Sequence, residues 1–492
     1  LLAVLILIVV IPMVVTIALK YTSVQTAICK EAMGGLTGKI NGQVDVGNVY
    51  YAPLNSLVVE NVVVTGAEGD TVLSCGKVSL KVQVLSLLMK EVKVRKIGLY
   101  GGTVVLRNIS ENETNISRLL APLSALEKKE KKEKKELCIR MDRLVVDNFR
   151  FVRDNPFAPE PERKGARNIN FNRLNISDIN AVVKNLDYCG GEGSVKLESF
   201  SLKEEGGYDL RNLSFGASLD SAGISVSDFD FNDGMSHLDI PSLTAVMENF
   251  EALRNFTTEV PLDIEMDQCL FDFRTLHYFS PKVDKLKLQL NLDGNLAGTV
   301  DNCSTKGLRV ASGTKKTWLD MDFHLIGLPN ARQTMATVDV RDSRITTEDL
   351  ALIISQVAAP KFKPASVSRL APDEVFKFTG SLNGLFQDFV AYGALNSGIG
   401  KANVDIICRS AAKKDYEIIG GMRATDFNLG ELLQSKLFGK LDCNAAISAY
   451  ISKNKAKTQL TIEDVNIARI GINNYDYSSI SATGTLAYDD FE

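Results

Sequence analysis

Histidine and tryptophan are scarce in this sequence, which has three histidines and one tryptophan in 492 residues. His237, His277 and His324 stand apart from one another, and no nucleophile motif accompanies them. No Cys-x-x-Cys pair occurs, although a zinc site needs closely spaced ligands. P-loop, His-Glu-x-x-His and EF-hand motifs are also missing. The sequence therefore predicts a protein that is not an enzyme, with no catalytic residues, no metal and no cofactor.

An excess of positive charge is missing as well. The chain has 56 Lys and Arg residues against 60 Asp and Glu residues, giving a formal net charge of −4. Binding to phosphates without regard to sequence requires a basic surplus, so no nucleic-acid partner is predicted. Residues 127–136 read EKKEKKEKKE, and their glutamates cancel much of the lysine charge. We interpret this stretch as a solvated linker.

The cysteines are scattered along the chain. They are Cys29, Cys75, Cys138, Cys189, Cys269, Cys303, Cys408 and Cys443. Single buried thiols on strands are the favoured interpretation, and a few disulfides remain open if the body lies outside the cytoplasm. Asn-x-Ser/Thr sequons occur at Asn108, Asn112, Asn115, Asn175, Asn212, Asn255 and Asn302. Because this motif is short, we interpret the sequons as chance occurrences rather than glycosylation sites.

Alternation of apolar and polar residues is the dominant pattern, as in 78–84, 286–292 and 319–325. A period of two places all apolar side chains on one face of a strand. The pattern predicts a mainly β chain. Its apolar faces must be covered by a second sheet, by helices or by lipid.

Helical patterns are few and short. Helix-spaced apolar residues predict a helix at 241–256, and 430–438 is a further candidate. Another helix is expected to begin at Thr346 or Thr347 and to end at Val357. There the acidic residues Glu348 and Asp349 complete a capping box.

Residues 1–19 are apolar except for Pro12 and Thr16. A helix of this length spans about 28 Å, which is close to the hydrocarbon thickness of a bilayer. No cleavage site of small residues follows, so an uncleaved membrane anchor is favoured over a cleaved signal. The chain begins without Met and ends within strand-like sequence, and we interpret it as truncated at both ends.

These patterns divide the chain into consecutive segments. They are a transmembrane anchor (1–19), an amphipathic connector (20–38), an N-terminal β unit (39–126), a charged Lys/Glu linker (127–136), a β segment (137–240), a short helix (241–256) and a β continuation (257–492).

The ordered series of strand and turn phrases carries a resemblance. After the anchor and connector comes TGKINGQVDVGNVYYAPLNSLVVENVVVTGAEGDTVLSCGKVSLKVQVLSLLMKEVKVRKIGLYGGTVVLRN at 37–108. Phrases of the same style follow at 294–354, 380–406, 416–433 and 472–492. The series resembles the amino-terminal portion of the TamB family, which belongs to the AsmA-like, bridge-like lipid-transfer group. The style is closest to members from Bacteroidetes.

The resemblance implies a fold and a function. The fold would be an N-terminal transmembrane helix followed by an elongated, curled antiparallel β-sheet that forms an open apolar groove, with few short helices. The protein would be a single-pass inner-membrane protein with its body in the periplasm. It would conduct phospholipid from the inner to the outer membrane. The alternative is an assembly scaffold for outer-membrane β-barrel proteins with an Omp85-type partner. A third hypothesis is an anchored adhesin or glycosylated ectodomain with closed sandwiches.

The candidate groove lining consists of apolar residues on alternating strand positions. These are Val78, Leu80, Val82, Val84, Leu286, Leu288, Leu290, Leu292, Leu319, Met321, Phe323, Leu325, Phe376 and Phe378. By pattern alone, an ordinary sandwich core and an open groove fit these residues equally well. The resemblance favours the groove.

Overall fold

The computed structural model describes residues 40–52, 56–82, 94–129, 138–159, 169–247, 250–279, 287–328, 330, 333–357, 374–385, 388–412, 415–433, 435–452 and 458–487. Within these ranges the chain is mainly β, with 24 strands in one sheet that does not close, and few helices. The predicted mainly β class is confirmed. The predicted anchor and amphipathic connector lie outside the described residues. No helix within the described residues is long and apolar enough to cross a membrane.

The chain separates into two compact units. Unit 1 comprises Leu1–His237 with Thr275–Lys282, and unit 2 comprises Leu238–Arg274 with Val283–Glu492. The strands of unit 1 are β1 (Gly42–Asp45), β2 (Val49–Ala52), β3 (Ser56–Gly66), β4 (Thr71–Val82), β5 (Val94–Arg107), β6 (Cys138–Asp154), β7 (Arg173–Cys189), β8 (Glu192–Glu204), β9 (Asp209–Leu210), β10 (Asn212–Asp220) and β11 (Gly223–Asn232).

Unit 1 corrects the expectation of a purely antiparallel sheet. Its strands pair antiparallel, but β5 and β6 run parallel, with Leu99 opposite Val146. Parallel neighbours need a crossover connection, since a tight turn reverses the chain. Helix α1 (Asn115–Lys129) lies in that connection. The predicted linker at 127–136 therefore begins inside this helix, and its remaining residues lie outside the described ranges.

A reciprocal cap fixes the start of α1. The Ser117 N–H donates to Thr114 Oγ1 (3.1 Å), and the Thr114 N–H donates to Ser117 Oγ (2.9 Å). These bonds satisfy donors that the first turn leaves without partners. The adjacent Asn115 is 4% exposed, and its amide donates to the Val105 carbonyl (2.9 Å). Its sequon is therefore inaccessible in the folded chain.

Tight turns join several neighbouring strands. Gly190 and Gly191, with φ of 63° and 96°, connect β7 to β8 where Cys189 lies opposite Glu192. Two successive residues with positive φ form the turn whose twist matches that of a hairpin. The two sulfur atoms of Cys138 and Cys189 are bonded at this end of the β6–β7 pair. One of the disulfides that the sequence left open is therefore present.

Bulges interrupt the strands where a single residue adopts positive φ. Asn148 (φ 54°) in β6 donates its N–H to Asn180 Oδ1 of β7 (2.9 Å). Gly307 (φ 78°) likewise donates its N–H to Asp322 Oδ1 of the neighbouring strand (2.6 Å). A bulge bends and twists the strand that carries it. A polar side chain on the next strand replaces the ladder bond that each bulge loses.

Unit 2 is a long antiparallel meander. Its strands are β12 (His237–Val246, whose first residue belongs to unit 1), β13 (Leu262–Asp272), β14 (Gln289–Gly298), β15 (Asn302–Ser312), β16 (Trp318–Ile326), β17 (Met335–Thr346), β18 (Val375–Leu385), β19 (Asp388–Ser397), β20 (Gly400–Ala412), β21 (Asp415–Asn428), β22 (Phe438–Ile451), β23 (Gln459–Ile472) and β24 (Tyr475–Ala487). Each strand from β13 to β23 pairs with its successor in sequence. The prediction that this part of the chain consists mainly of β-strands is therefore confirmed.

The predicted helix at 241–256 is wrong over its first half. Residues up to Val246 continue β12, followed by a 3₁₀ turn (Phe250–Asn255) and the single-turn helix α2 (Phe256–Glu259). Leu238 and Ile240 already alternate with polar residues, and alternation resumes beyond Pro241 with its phase shifted by one residue, at Leu243 and Ala245. A further 3₁₀ turn spans Phe273–Tyr278.

The second predicted helix is confirmed and the third is shorter than expected. Helix α3 (Thr347–Val357) begins with the Asp349 N–H directed at Thr346 Oγ1 (3.4 Å), as the capping pattern indicated. Helix α4 (Leu429–Leu433) stops before Phe438, which begins β22. Both helices contribute leucines, Leu350 and Leu432, to a small closed cluster around Phe376 and Ile399.

Candidate functional site

Apolar residues, with four glycines and one threonine among them, form rows across the strands of unit 2 from β15 to β24. Residues directly opposite one another in paired strands project from the same face of the sheet. One row runs through Leu308, Met321, Val340, Gly380, Gly393, Val404, Met422, Ala445, Val465 and Ala482. The next row runs through Thr305, Phe323, Val338, Leu382, Ala391, Ile406, Gly420, Ile447, Ile462 and Gly484. We call these rows the unit 2 apolar face.

The unit 2 apolar face is not sealed by a second layer of described residues. Met422 is 40% exposed and Ile447 is 36% exposed, and most other side chains in the rows are half-buried. Side chains in a sandwich core would be almost fully buried. The face therefore offers apolar surface to whatever lies against it.

Unit 1 has an apolar face of the same kind. Its row passes through Leu57, Leu80, Ile97, Leu144, Val183, Leu197 and Phe215. These side chains are also half-buried. At one end, Val78 and Leu57 pack against a small core of Val46, Val49 and Val59, so this part of the sheet is covered.

The structure brings many of the predicted lining residues together. Met321 and Phe323 belong to the rows of the unit 2 apolar face, and Leu325 pairs with Cys303 and Ala336 beside them. Leu80 belongs to the unit 1 row, and Val78 pairs with Leu99 next to it. Val84 and Leu286 lie outside the described residues, and Val82 is the last residue of β4.

Three predicted leucines, Leu288, Leu290 and Leu319, line one pocket. The pocket has a volume of about 150 Å³ and is also lined by Asp349 and Leu352 of α3. Asp349 is 9% exposed, and its Oδ2 atom has no hydrogen-bond partner among the described residues. Leu292 lies just beyond, opposite Cys269 and Val310.

The two predicted phenylalanines differ in their surroundings. Phe376 is 5% exposed inside the closed cluster beneath α3 and α4, so it belongs to a core and not to the open lining. Phe378 lies over the glycine pair Gly380 and Gly393: a Cβ atom at Gly393 would come within 2.6 Å of its ring. The absence of a side chain at these glycines makes room for the ring on the face.

Pattern analysis missed most of the lining between β19 and β24. Val404 and Ile406 alternate with Asn403 and Asp405, so the signal was present in the sequence. Alanines and glycines at the neighbouring row positions weakened it. Only the strand register shows that these small residues continue the same surface.

The opposite face carries charges. Arg309 donates two hydrogen bonds to Asp320 (2.7 and 2.9 Å), and Lys440 donates to Asp426 (2.9 Å). The hydrogen bonds from Arg309 lower the pKa of Asp320, and those from Lys440 lower the pKa of Asp426. These groups are solvated ion pairs on a strand surface, and they give no geometry for acid–base catalysis.

Thiols on the apolar side should be unreactive. Cys303, Cys408 and Cys443 pair with apolar residues of that side and are buried, and burial raises the pKa of each thiol. Since the thiolate is the reactive form, we expect a charged thiol reagent to leave them unmodified at neutral pH. Counting labels by mass spectrometry, before and after addition of denaturant, checks this. Rapid labelling of Cys408 in the folded chain would contradict it.

No metal site accompanies these surfaces: the described residues contain no cluster of His, Cys, Asp and Glu suited to hold a metal ion. A scan against protein-family models, a search of curated proteins and a search of solved structures each found no match to this chain. The TamB resemblance therefore stays a prediction.

Proposed function

We propose that this chain is a non-enzymatic, bridge-like lipid-transfer protein of the TamB type. It carries phospholipid across the periplasm from the inner to the outer membrane, with residues 1–19 as its inner-membrane anchor. The observation that supports this is the continuity of the half-exposed apolar rows from strand to strand. An acyl chain lying on them would cover the side chains that no second layer of described residues covers.

The energetics of acyl chains favour such a surface. Burial of each CH₂ group contributes about 0.8 kcal/mol, so exposing a sixteen-carbon chain to water costs about 12 kcal/mol. Contact with Val404 and Ile406 of β20, and with Met422 of β21, would remove water from the part of the acyl chain that crosses these strands. Equivalent contacts on the next strand, at Ala445 and Ile447, allow it to move without leaving the face. The headgroup stays in water.

Photo-crosslinking tests the proposal. A photoreactive amino acid at Val404 or Ile462 should capture phospholipid in cells, because these residues lie on the apolar face. The same amino acid at Asn403 or Asp464, on the charged side of the same strands, should capture none. Mass spectrometry of the adducts identifies the lipid. Equal capture on both sides, or none at Val404 and Ile462, would contradict the proposal.

The assembly-scaffold alternative has one observation in its favour. Among the described strands, β24 pairs only with β23, and its residues 475–485 are exposed. An open strand edge can add a strand of another polypeptide. Crosslinks from Ser478 and Ser481 to unfolded β-barrel clients, without lipid capture at Val404, would favour this alternative and an Omp85-type partner.

A further inference from the structure

Basic residues occupy directly opposing positions across the strands from β4 to β8. Lys81 lies opposite Lys96, Lys96 opposite Arg143, Arg143 opposite Lys184, and Lys184 opposite Lys196. We call these residues the basic row. Neighbouring strands are about 4.8 Å apart, so the row is about 19 Å long.

The basic row lies on the reverse of the unit 1 apolar face. Each of its members is next in sequence to a residue of the apolar row, as Lys96 is to Ile97 and Arg143 is to Leu144. Lys81, Lys96 and Lys196 are exposed, and Arg143 and Lys184 are half-buried. Where these two rows cross β4 to β8, one side of the sheet is therefore apolar and the other side is cationic.

The row is poorly compensated. Among the described residues only Lys184 has an ion-pair partner, Glu198, at 2.5 Å. Hydrogen bonding by Lys184 lowers the pKa of Glu198, and the charges of Arg143 and Lys196 lower it further. The Glu198 carboxylate thus offsets only part of the charge of Lys184, Arg143 and Lys196, and the row keeps a net positive charge.

In the described strands outside the basic row, directly opposed charges have opposite signs or flanking partners. Arg140 faces Asp187, and Arg309 faces Asp320. Asp320 and Asp342 form a like-charged pair, but the positive charge of Arg309 interacts with both carboxylates. Like charges directly opposite one another destabilise a sheet. A row of cations with one carboxylate therefore points to an anionic partner.

We propose that the basic row docks unit 1 on the anionic surface of a lipid bilayer. Two residues further along β6, on the same face as the basic row, Val145 pairs with Val182. Both valines are half-buried, so the surface beside the row is uncharged there. Lysine ammonium groups act as mobile point charges that suit many phosphate positions, whereas bidentate recognition of one phosphate uses arginine. A row of four lysines and one arginine on a sheet face fits a plane of headgroups. This inference does not depend on lipid transfer along the apolar face.

Vesicle capture tests the proposal. The full chain is placed in phosphatidylcholine nanodiscs, so that its apolar N-terminal stretch has a bilayer of its own. Capture of fluorescent vesicles made of phosphatidylcholine alone, or mixed with phosphatidylglycerol, is then measured. We expect capture only of the anionic vesicles. Each lysine at an anionic surface contributes about a fivefold gain, so the K81Q/K96Q/K196Q variant should lose capture by at least about tenfold.

A matched control removes the same charge elsewhere in unit 1. R107Q/R140Q/K203Q replaces cations that are paired with Asp154, Asp187 and Asp178. This variant should capture anionic vesicles as the wild type does. Equal losses in both variants would show that only net charge matters, and would overturn the proposal.

Two further measurements keep the proposal falsifiable. Salt screens repulsion within the row, so added NaCl should stabilise the wild type against urea more than it stabilises K81Q/K96Q/K196Q. An identical salt response would show that the cations do not act as a row. A short single-stranded DNA that binds the wild type, displaces the vesicles and no longer binds the variant would assign the row to nucleic acid instead.

Discussion

Replacing Ile406 by glutamate should remove most of the lipid bound to the isolated chain, by about tenfold or more. Ile406 lies in the middle of the unit 2 apolar face, opposite Ala391 on one side and Gly420 on the other. An acyl chain passing over this position would have to desolvate the new carboxylate, which costs several kcal/mol. Lipid extracted from the purified variant is measured by mass spectrometry, and binding of a fluorescent phospholipid is titrated.

Ile407→Glu is the matched control for this experiment. Ile407 is the next residue of β20, is also half-buried, and lies opposite Val390 and Ile419 on the other face. It receives the same charge in the same strand, so any general destabilisation of β20 appears in both variants. We expect Ile407→Glu to keep its lipid. Equal lipid content in the two variants would mean that the apolar face is not where lipid binds.

Much of the fold could be predicted from the sequence because the strand period is local information. The alternation at 319–325 became β16, and the capping pattern at Thr346 became the start of α3. The period of 241–256 was ambiguous, since Leu243, Val246 and Met247 suit a helix as well as a strand that ends in a turn. The alternation before Pro241 favoured a strand and the helix-spaced residues favoured a helix, so the sequence pattern alone did not decide between them.

Helix α1 and the parallel pair of β5 and β6 could not be predicted together. Most of α1 lies within the segment 39–126, which was predicted as a β unit, and Pro122 interrupts its helical pattern. Only the register shows that the chain returns in the same direction after the helix. The rows of the candidate site depend on register as well. A bulge residue such as Gln268 shifts the later partners along its strand by one.

Removing the guanidinium of Arg274 should destabilise unit 2 by about 2 to 3 kcal/mol at neutral pH, since it leaves a buried carboxylate without its main donor. Asp272 at the end of β13 is 0% exposed. Arg274 donates to both of its carboxylate oxygens, and Gln289 donates to Oδ2 (2.7 Å). Burial raises the pKa of Asp272, but these hydrogen bonds lower it by more, so the net direction is down.

The pH dependence of Arg274→Ala follows from that direction. A carboxylate with a lowered pKa stabilises the fold above its unfolded pKa of about 3.9, and this stability is lost as the pH falls through its folded pKa. Without Arg274 the burial effect remains, so the pKa of Asp272 should rise. The stability difference between wild type and variant should therefore be largest at neutral pH and should shrink as the medium becomes acidic.

The fluorescence of Trp318, the single tryptophan, reports the unfolding of unit 2 in urea. Arg341→Ala is the control, because Arg341 forms an exposed ion pair with Asp322 (3.4 Å) in the same unit. Exposed pairs contribute about 0 to 1 kcal/mol, so this variant should differ little from the wild type at any pH. If Arg274→Ala were no less stable than Arg341→Ala at neutral pH, the buried carboxylate would not depend on Arg274. The end of β13 would then be held by its backbone pairing with β14 alone.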